Sequence, residues 1–376
     1  MVTSDAEGSI NADLTLGADV VSVKPLKANE GLSSPGVKLH GSGFIVSPTE
    51  ADHLGLGRRE GLDAHIRPYL NGRDLVQKTR GAMVIDLLGV DEDFVMTHYP
   101  EVYQHLRTEV YAKKWNPKAV KGKGAWEGRE VNRRESYKNF WWLHGEPRKD
   151  MRPAMVGLKR FIATVETTKH RLFQMVDAQY LPDNMVIAIS TDDAFHLGVL
   201  SSEVHLQWIY SKCSLMGVAT FEQGHRYNKS QIFDPFPFPD ATPDQSATIA
   251  ELAEKLDATR KAALAEVPGL TMTEIYNLRA RLQSGEKLSP TDEDRARAAR
   301  AGIVHRLHEQ IDAVVAEAYG WPADLTPSEI VTRLVALNAE RAKEEAEGNI
   351  RWLRPEYQIP RFALGTKSSV RKSKGK

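Results

Sequence analysis

The feature that most constrains this chain is the run Phe233-Asp234-Pro235-Phe236-Pro237-Phe238-Pro239. Three prolines at alternate positions remove three backbone donors and fix φ, so the run can belong neither to a helix nor to a central strand. Regular structure has to stop there. The 376 residues are enough for two ordinary domains, and a boundary is placed just after the run.

The hydrophobic pattern differs on the two sides. Ala82 to Leu88, Arg160 to Val165, Arg171 to Val176 and Met185 to Ile189 read as short strands, and Val37 to Val46 as a strand with a bulge at its glycines. Helices are expected after Thr49, from Pro100 to Lys114, from Asp192 to Leu200 and from Ser202 to Leu215. Residues 115–133 have no period and read as a mobile basic loop. Beyond residue 240 the period is helical throughout: Pro243 to Leu264, Thr271 to Gln283, Thr291 to Tyr319 and Thr326 to Ala346, with Gly320 and Gly348 as stop signals. The expected fold is α+β. A connector (1–35) leads into a mixed α/β domain (36–240), an all-α C-terminal domain (241–362) and a basic disordered tail (363–376).

Charge follows the same division. The formal net charge is zero, yet residues 107–160 hold fifteen Lys and Arg against six Asp and Glu, a local +9, whereas Asp240 to Glu347 is acidic. That segregation suits a polyanion on one face. Cys213 is the sole cysteine, which leaves no internal disulfide and fits a reducing cytoplasm. No apolar run approaches membrane-spanning length, so no membrane partner is expected.

Several chemistries lack their residues. There is no phosphate-binding P-loop, no G-x-S-x-G elbow and no acidic nuclease cluster. An adenine methyltransferase needs a Gly-rich turn for S-adenosylmethionine and an Asn/Asp-Pro-Pro-aromatic motif for the flipped base. Asp234-Pro235-Phe236-Pro237 interchanges the second proline and the aromatic, and reads instead as a rigid hinge packing two phenylalanines. His305 and His308 lie three apart on one helix but do not make the HExxH zinc pattern. Cys213 reads as core. No catalytic or metal-binding residue is assigned.

What remains are turns rich in cations, amides and aromatics. They are Arg67-Pro68-Tyr69-Leu70-Asn71-Gly72-Arg73-Asp74, Trp141 to Arg148, Lys169-His170-Arg171 and Arg226-Tyr227-Asn228-Lys229-Ser230. Such groups neutralise phosphates and hold register, while Arg, Asn, Gln and Glu also read base edges. Arg73 with Asp74 also reads as a local structural pair, and Trp141 and Trp142 as core.

The order IRPYLNGRDL, NFWWLHGEPR, RFIATVETTKHRLF, LPDNMVIAI, FHLGVLSSEVHLQW, RYNKSQIFDPFPFPD and AEAYGWPADL resembles the C-terminal half of MmeI-like (type IIL) restriction–modification enzymes and related DNA adenine methyltransferases of phage defence. The similarity runs from about residue 15 to residue 362. In that family a methyltransferase domain precedes a target recognition domain and a helical C-terminal domain. The resemblance implies double-stranded DNA as ligand and a separate or missing catalytic methyltransferase domain or subunit as partner. S-adenosylmethionine would sit on that partner, with no cofactor in this chain. It implies phosphate contacts from Arg67, Arg73, Arg148, Lys169, His170, Arg171, Arg226, Asn228, Lys229 and Ser230, and base reading by Glu222, Gln223 and His225. Gly224 has no side chain to offer a base. Two other readings stay open: a self-sufficient but divergent methyltransferase, and a helical protein that holds a partner in a defence complex.

Overall fold

The computed structural model describes residues 18–122, 124–215 and 224–363. Its centre is an antiparallel sheet in the order β1-β11-β7-β9, made of Ser33–Pro35, Val186–Ile189, Arg160–Val165 and Gln174–Asp177. A second sheet, β10-β3-β4-β2, comprises Leu181–Pro182, Ile66–Leu70, Met83–Ile85 and Ile45–Val46. Two further pairs are ribbons: β5 (Lys114–Asn116) with β6 (Ala125–Glu127), and β8 (Thr167–Thr168) with β12 (His225–Arg226).

Strand β11, and β7 apart from Arg160 at its start and Thr164, are apolar because both faces of the central sheet are covered. Phe161, Ala163 and Val165 of β7, with Val186 and Ala188 of β11, join one core, together with Val37, Leu62, Val102 and Trp141. Ile162, Ile187 and Ile189 point the other way, into a core built with the helices. The period-2 geometry of a strand thus deals alternate residues to two separate cores.

The helical side begins with α1 (Ala194–Ser201) and α2 (Glu203–Leu215) and continues with α3 (Pro243–Glu266), α4 (Met272–Gln283), α5 (Pro290–Ala298), α6 (Ala301–Ala318) and α7 (Pro327–Ala346). The described residues beyond 240 contain helices and no strand, so the fold is α+β with a helical C-terminal region. Capping boxes at Thr242/Gln245 and Thr326/Glu329 start α3 and α7, each with proline at its first turn. The single helix expected from Thr291 to Tyr319 is two, α5 and α6, divided where Arg300 takes a left-handed φ of +56°. The residue at the break is not itself a glycine; Gly302 lies two positions later, inside α6.

The proline run is buried and clamped. Phe233 and Phe236 are fully buried and Phe238 nearly so. The first five carbonyls of the run, Phe233 to Pro237, are taken up. Asn29 Nδ2 donates to those of Phe233, Asp234 and Phe236 at 2.9, 3.0 and 2.8 Å, Asn338 Nδ2 to Pro235 at 2.7 Å, and Tyr319 OH to Pro237 at 2.9 Å. The segment therefore packs three phenylalanines, one more than expected, and is held from both the N-terminal part of the chain and α7. Phe236 is inside the helical core, where it has no face to offer a flipped base.

Several local expectations change. The strand expected over Val37 to Val46 is reduced to the two residues of β2, which follow a tight helical turn over Ser42–Phe44. The last residues of the stretch read as a connector form the edge strand β1, with Leu26 and Leu32 buried nearby. The stretch read as a loop over 115–133 contains the β5–β6 hairpin. The helix from Pro100 ends at Leu106 and passes into a wider turn over Arg107–Tyr111. The tail from 364 and the segment 216–223 lie outside the described residues. No helix among the described residues is long and apolar enough to cross a membrane.

Candidate nucleic-acid interface

Two sequence clusters more than fifty residues apart meet at one end of the central sheet. At Glu166 the chain changes partners. The Glu166 amide donates to the Met185 carbonyl beside β11 (2.7 Å), while its own carbonyl accepts from the Tyr227 amide (2.6 Å). Beyond it β8 pairs antiparallel with β12, Thr167 opposite Arg226 and Thr168 opposite His225. The ribbon β8–β12 thereby sets Lys169 and His170 beside His225 and Arg226. Gly224 precedes β12 at φ +85°, and a Cβ there would lie 2.9 Å from the Thr168 carbonyl carbon. Close strand approach requires glycine at this position.

Arg171 holds the ribbon together. Its guanidinium donates to Thr164 Oγ1 (3.1 Å), to the Val165 and His225 carbonyls, and lies 5.2 Å from the Tyr227 ring centroid. Burial draws its pKa down to about 10, which leaves it charged at neutral pH. This cation is engaged inside the protein. Arg226, in contrast, has a side chain 59% exposed and rests Nε and Nη2 on Glu166 Oε1 at 2.8 and 2.7 Å. Lys169 is exposed, with Nζ 3.2 Å from Asn277 Oδ1 of α4. His170 places Nε2 2.7 Å from the same oxygen. Burial lowers its pKa, so it is a neutral donor there. The His225 ring lies 4.6 Å from that of Tyr210, and burial lowers its pKa as well.

Beneath the ribbon, a cleft of about 370 Å³ opens toward α4 and α6, lined among others by Lys169, His225, Tyr210, Arg279 and Asp312. Asp312 accepts from the Glu203 amide at the start of α2 (2.6 Å), and burial pushes its carboxyl up to about 7. Just past β12, Asn228 Oδ1 accepts from the Ser230 amide (3.1 Å) and hydroxyl (2.8 Å), and Lys229 pairs with Asp234 at 3.2 Å. Asn228 and Ser230 thus shape their own turn.

This architecture has a solved counterpart. The fold is similar to part of the type IIL restriction–modification enzyme MmeI, whose structure was determined in complex with DNA. The TM-score is 0.59 at 16% identity, over 89% of this chain and 39% of that one. The chain thus spans about two-fifths of the length of the MmeI chain. No family model and no curated protein sequence matches it.

The other expected phosphate contacts are spread through the MmeI-like fold rather than gathered at the ribbon. Arg67 donates to the carbonyls of Ala178 (2.9 Å) and Gln179 (3.2 Å). Arg148, at φ +53°, bonds the Gly36 carbonyl (3.1 Å) and Glu146 (2.9 Å). Arg73 is exposed on the short helix Gly72–Val76, whose Gly72 packs on Val165 at the ribbon end of β7. Asp74 pairs with Arg80 rather than Arg73, through two contacts of 2.9 Å. Glu222 and Gln223 lie outside the described residues.

Trp141 and Trp142 are core, as expected, and Cys213 is buried. His308 is buried against Tyr276 OH (2.9 Å), while His305 faces Glu309 at 3.5 Å, so the two histidines do not converge. Asn277 was not visible as a site residue in the sequence. It lies in the helical region, and only the tertiary fold brings it to Lys169 and His170.

Proposed function

We propose that this chain is the DNA-recognition portion of an adenine-N6 methyltransferase of a restriction–modification or phage-defence system. The observation that carries the reading is the β8–β12 ribbon. It presents Lys169 and Arg226 for phosphates and a neutral His225 for a base edge, on a fold similar to that of a DNA-bound type IIL enzyme. A ribbon of two strands fits the major groove of B-DNA, and a neutral imidazole can donate or accept at a base edge.

In this reading a catalytic domain or subunit supplies the S-adenosylmethionine site and takes up the flipped adenine. This chain fixes which adenine is presented. Lys169, Arg226 and, at the edge of the ribbon, Arg73 neutralise phosphates. Arg171 acts one step back, by holding β8 and β12 in register. Glu222, Gln223 and His225 form the base-reading stretch.

Two measurements test the proposal. Fluorescence anisotropy with a labelled duplex should show binding that falls steeply with salt; salt-independent binding, or none with the catalytic partner supplied, would refute it. Incubation with labelled S-adenosylmethionine and mixed-sequence duplex should give no transfer by this chain alone. Transfer well above a no-protein control would instead establish a self-sufficient methyltransferase.

A further inference from the structure

A second element carries the chemistry of nucleic-acid binding and stands apart from the ribbon. In the hairpin β5–β6, Trp115 and Trp126 are directly opposite each other. Their rings meet edge to face, centroids 5.4 Å apart at 68°. They remain 52% and 54% exposed, among the most exposed large apolar side chains described. Residues 113–134 contain eight Lys and Arg against two Glu. Lys113 Nζ sits 4.4 Å over the Trp126 ring. Lys118 and Lys121 pair with no carboxylate among the described residues. The two glutamates are partly occupied within the hairpin, Glu127 by Asn116 Nδ2 (3.0 Å) and Glu130 by the Lys113 amide (3.1 Å). Beside Trp126 a cleft of about 760 Å³ runs along Arg133 and Arg134.

A cross-strand tryptophan pair can simply staple a two-stranded hairpin, which is marginal by itself. That role accounts for the ring contact. It does not account for indoles left half in water among so many cations, an arrangement that disfavours a basic partner. Exposed aromatics interleaved with Lys and Arg match one ligand class closely, a nucleic-acid strand whose bases are unstacked. Positive charge tracks its phosphates, and the indole faces replace the base neighbours it has lost.

We propose that the β5–β6 hairpin is a second DNA-binding element, on which an unpaired stretch of strand stacks bases against Trp115 and Trp126 and sets phosphates against Lys113, Lys118, Lys121 and Arg133. Drawing a base out of a duplex unstacks it and leaves its partner base unpaired. The hairpin adds to the ribbon reading but rests on separate residues.

The test uses the full chain and a short oligothymidine, which has no duplex and no recognition site. Titration should quench tryptophan emission, and Trp115→Ala with Trp126→Ala should remove that quench and weaken binding about tenfold or more. A Trp115→Tyr/Trp126→Tyr variant keeps a cross-strand aromatic pair and should retain most of the affinity. Lys118→Ala should weaken binding and flatten its salt dependence. A quench unchanged by the double alanine variant, or oligothymidine affinity unchanged with it, overturns the proposal. So does an alanine variant that weakens binding when the native protein shows no quench, since a pair that only staples the strands behaves in that way. The ribbon reading is tested independently, because Arg226→Ala should leave oligothymidine binding intact while weakening duplex binding.

Discussion

Arg226 and Glu166 offer a pair of substitutions with opposite expected signs. Arg226 is an exposed cation of the β8–β12 ribbon, and in the free protein it leans on Glu166 with contacts of 2.7 and 2.8 Å. Arg226→Ala removes one phosphate contact, so the slope of log affinity against log salt should shrink by about 0.9. A slope of that size makes the contact's contribution grow about eightfold for each tenfold dilution of salt. Glu166→Gln should act the other way. To reach a phosphate, Arg226 must loosen a carboxylate pair worth about 0.2–1 kcal/mol at an exposed site. Relieving that competition tightens duplex binding by up to about fivefold, since 1.4 kcal/mol is a factor of ten. The glutamine oxygen still receives the guanidinium, so the ribbon keeps its shape.

The assay is anisotropy on one labelled duplex between roughly 50 and 200 mM salt, with both single variants and the double variant. If Glu166 acts through Arg226, most of its gain disappears in the Arg226→Ala background. Equal gains in both backgrounds would mean that Glu166 only repels DNA in general. Unchanged slope and affinity in Arg226→Ala would refute the assignment of the ribbon to the DNA face.

Replacing Glu222, Gln223 or His225 with alanine, assayed with the catalytic partner present, should cost roughly 1–3 kcal/mol on the preferred site and relax discrimination at one base pair; unchanged site preference for all three variants rules out base reading by this stretch. Asn338→Ala removes the bonds to the Pro235 carbonyl (2.7 Å) and to both backbone groups of Lys24 (2.9 Å each). At about 1 kcal/mol net per bond it should destabilise the chain by roughly 2–4 kcal/mol in urea unfolding, and a loss below about 1 kcal/mol would show that the clamp contributes little. Asp312 has a folded pKa raised to about 7, so its contribution to stability is full below the unfolded carboxyl value and is lost as pH rises through 7. Asp312→Asn keeps an acceptor for the Glu203 amide and should flatten that decline, making the variant the more stable protein at pH 8; identical pH profiles for variant and native chain would contradict this.

The parts of the fold legible in the sequence were those fixed by local physics. Residues 161–165, apolar but for Thr164, and Val186–Ile189 are short, dense apolar runs that read as strands covered on both sides. The prolines and Thr residues opening α3 and α7 announce their caps. The break at Arg300 was not legible, because an arginine at positive φ is a tertiary compromise rather than a propensity. The β5–β6 hairpin escaped because its Lys- and Gly-rich stretch lacks alternation, and its pairing rests on two tryptophans eleven residues apart. At the site, the residue types were readable but their employment was not. Arg171 and Arg226 look equivalent in a list of cations; only the fold turns one inward to carbonyls and leaves the other exposed. Asn277 joins the site from a helix with no local signal at all.

Strand β7 runs through Glu166 directly into β8, so the ribbon is an overhang of the sheet that both cores enclose. Loops wander, and contacts placed on strands do not need to be found again at each encounter. Under the function proposed above, the overhang would work as an index mark: its root would set which step of the duplex is addressed, and the side chains beyond it which letter is accepted there. Exchanging tip residues should rewrite the letter while leaving the address and the stability of the scaffold in place, the condition under which a recognition surface can diversify quickly.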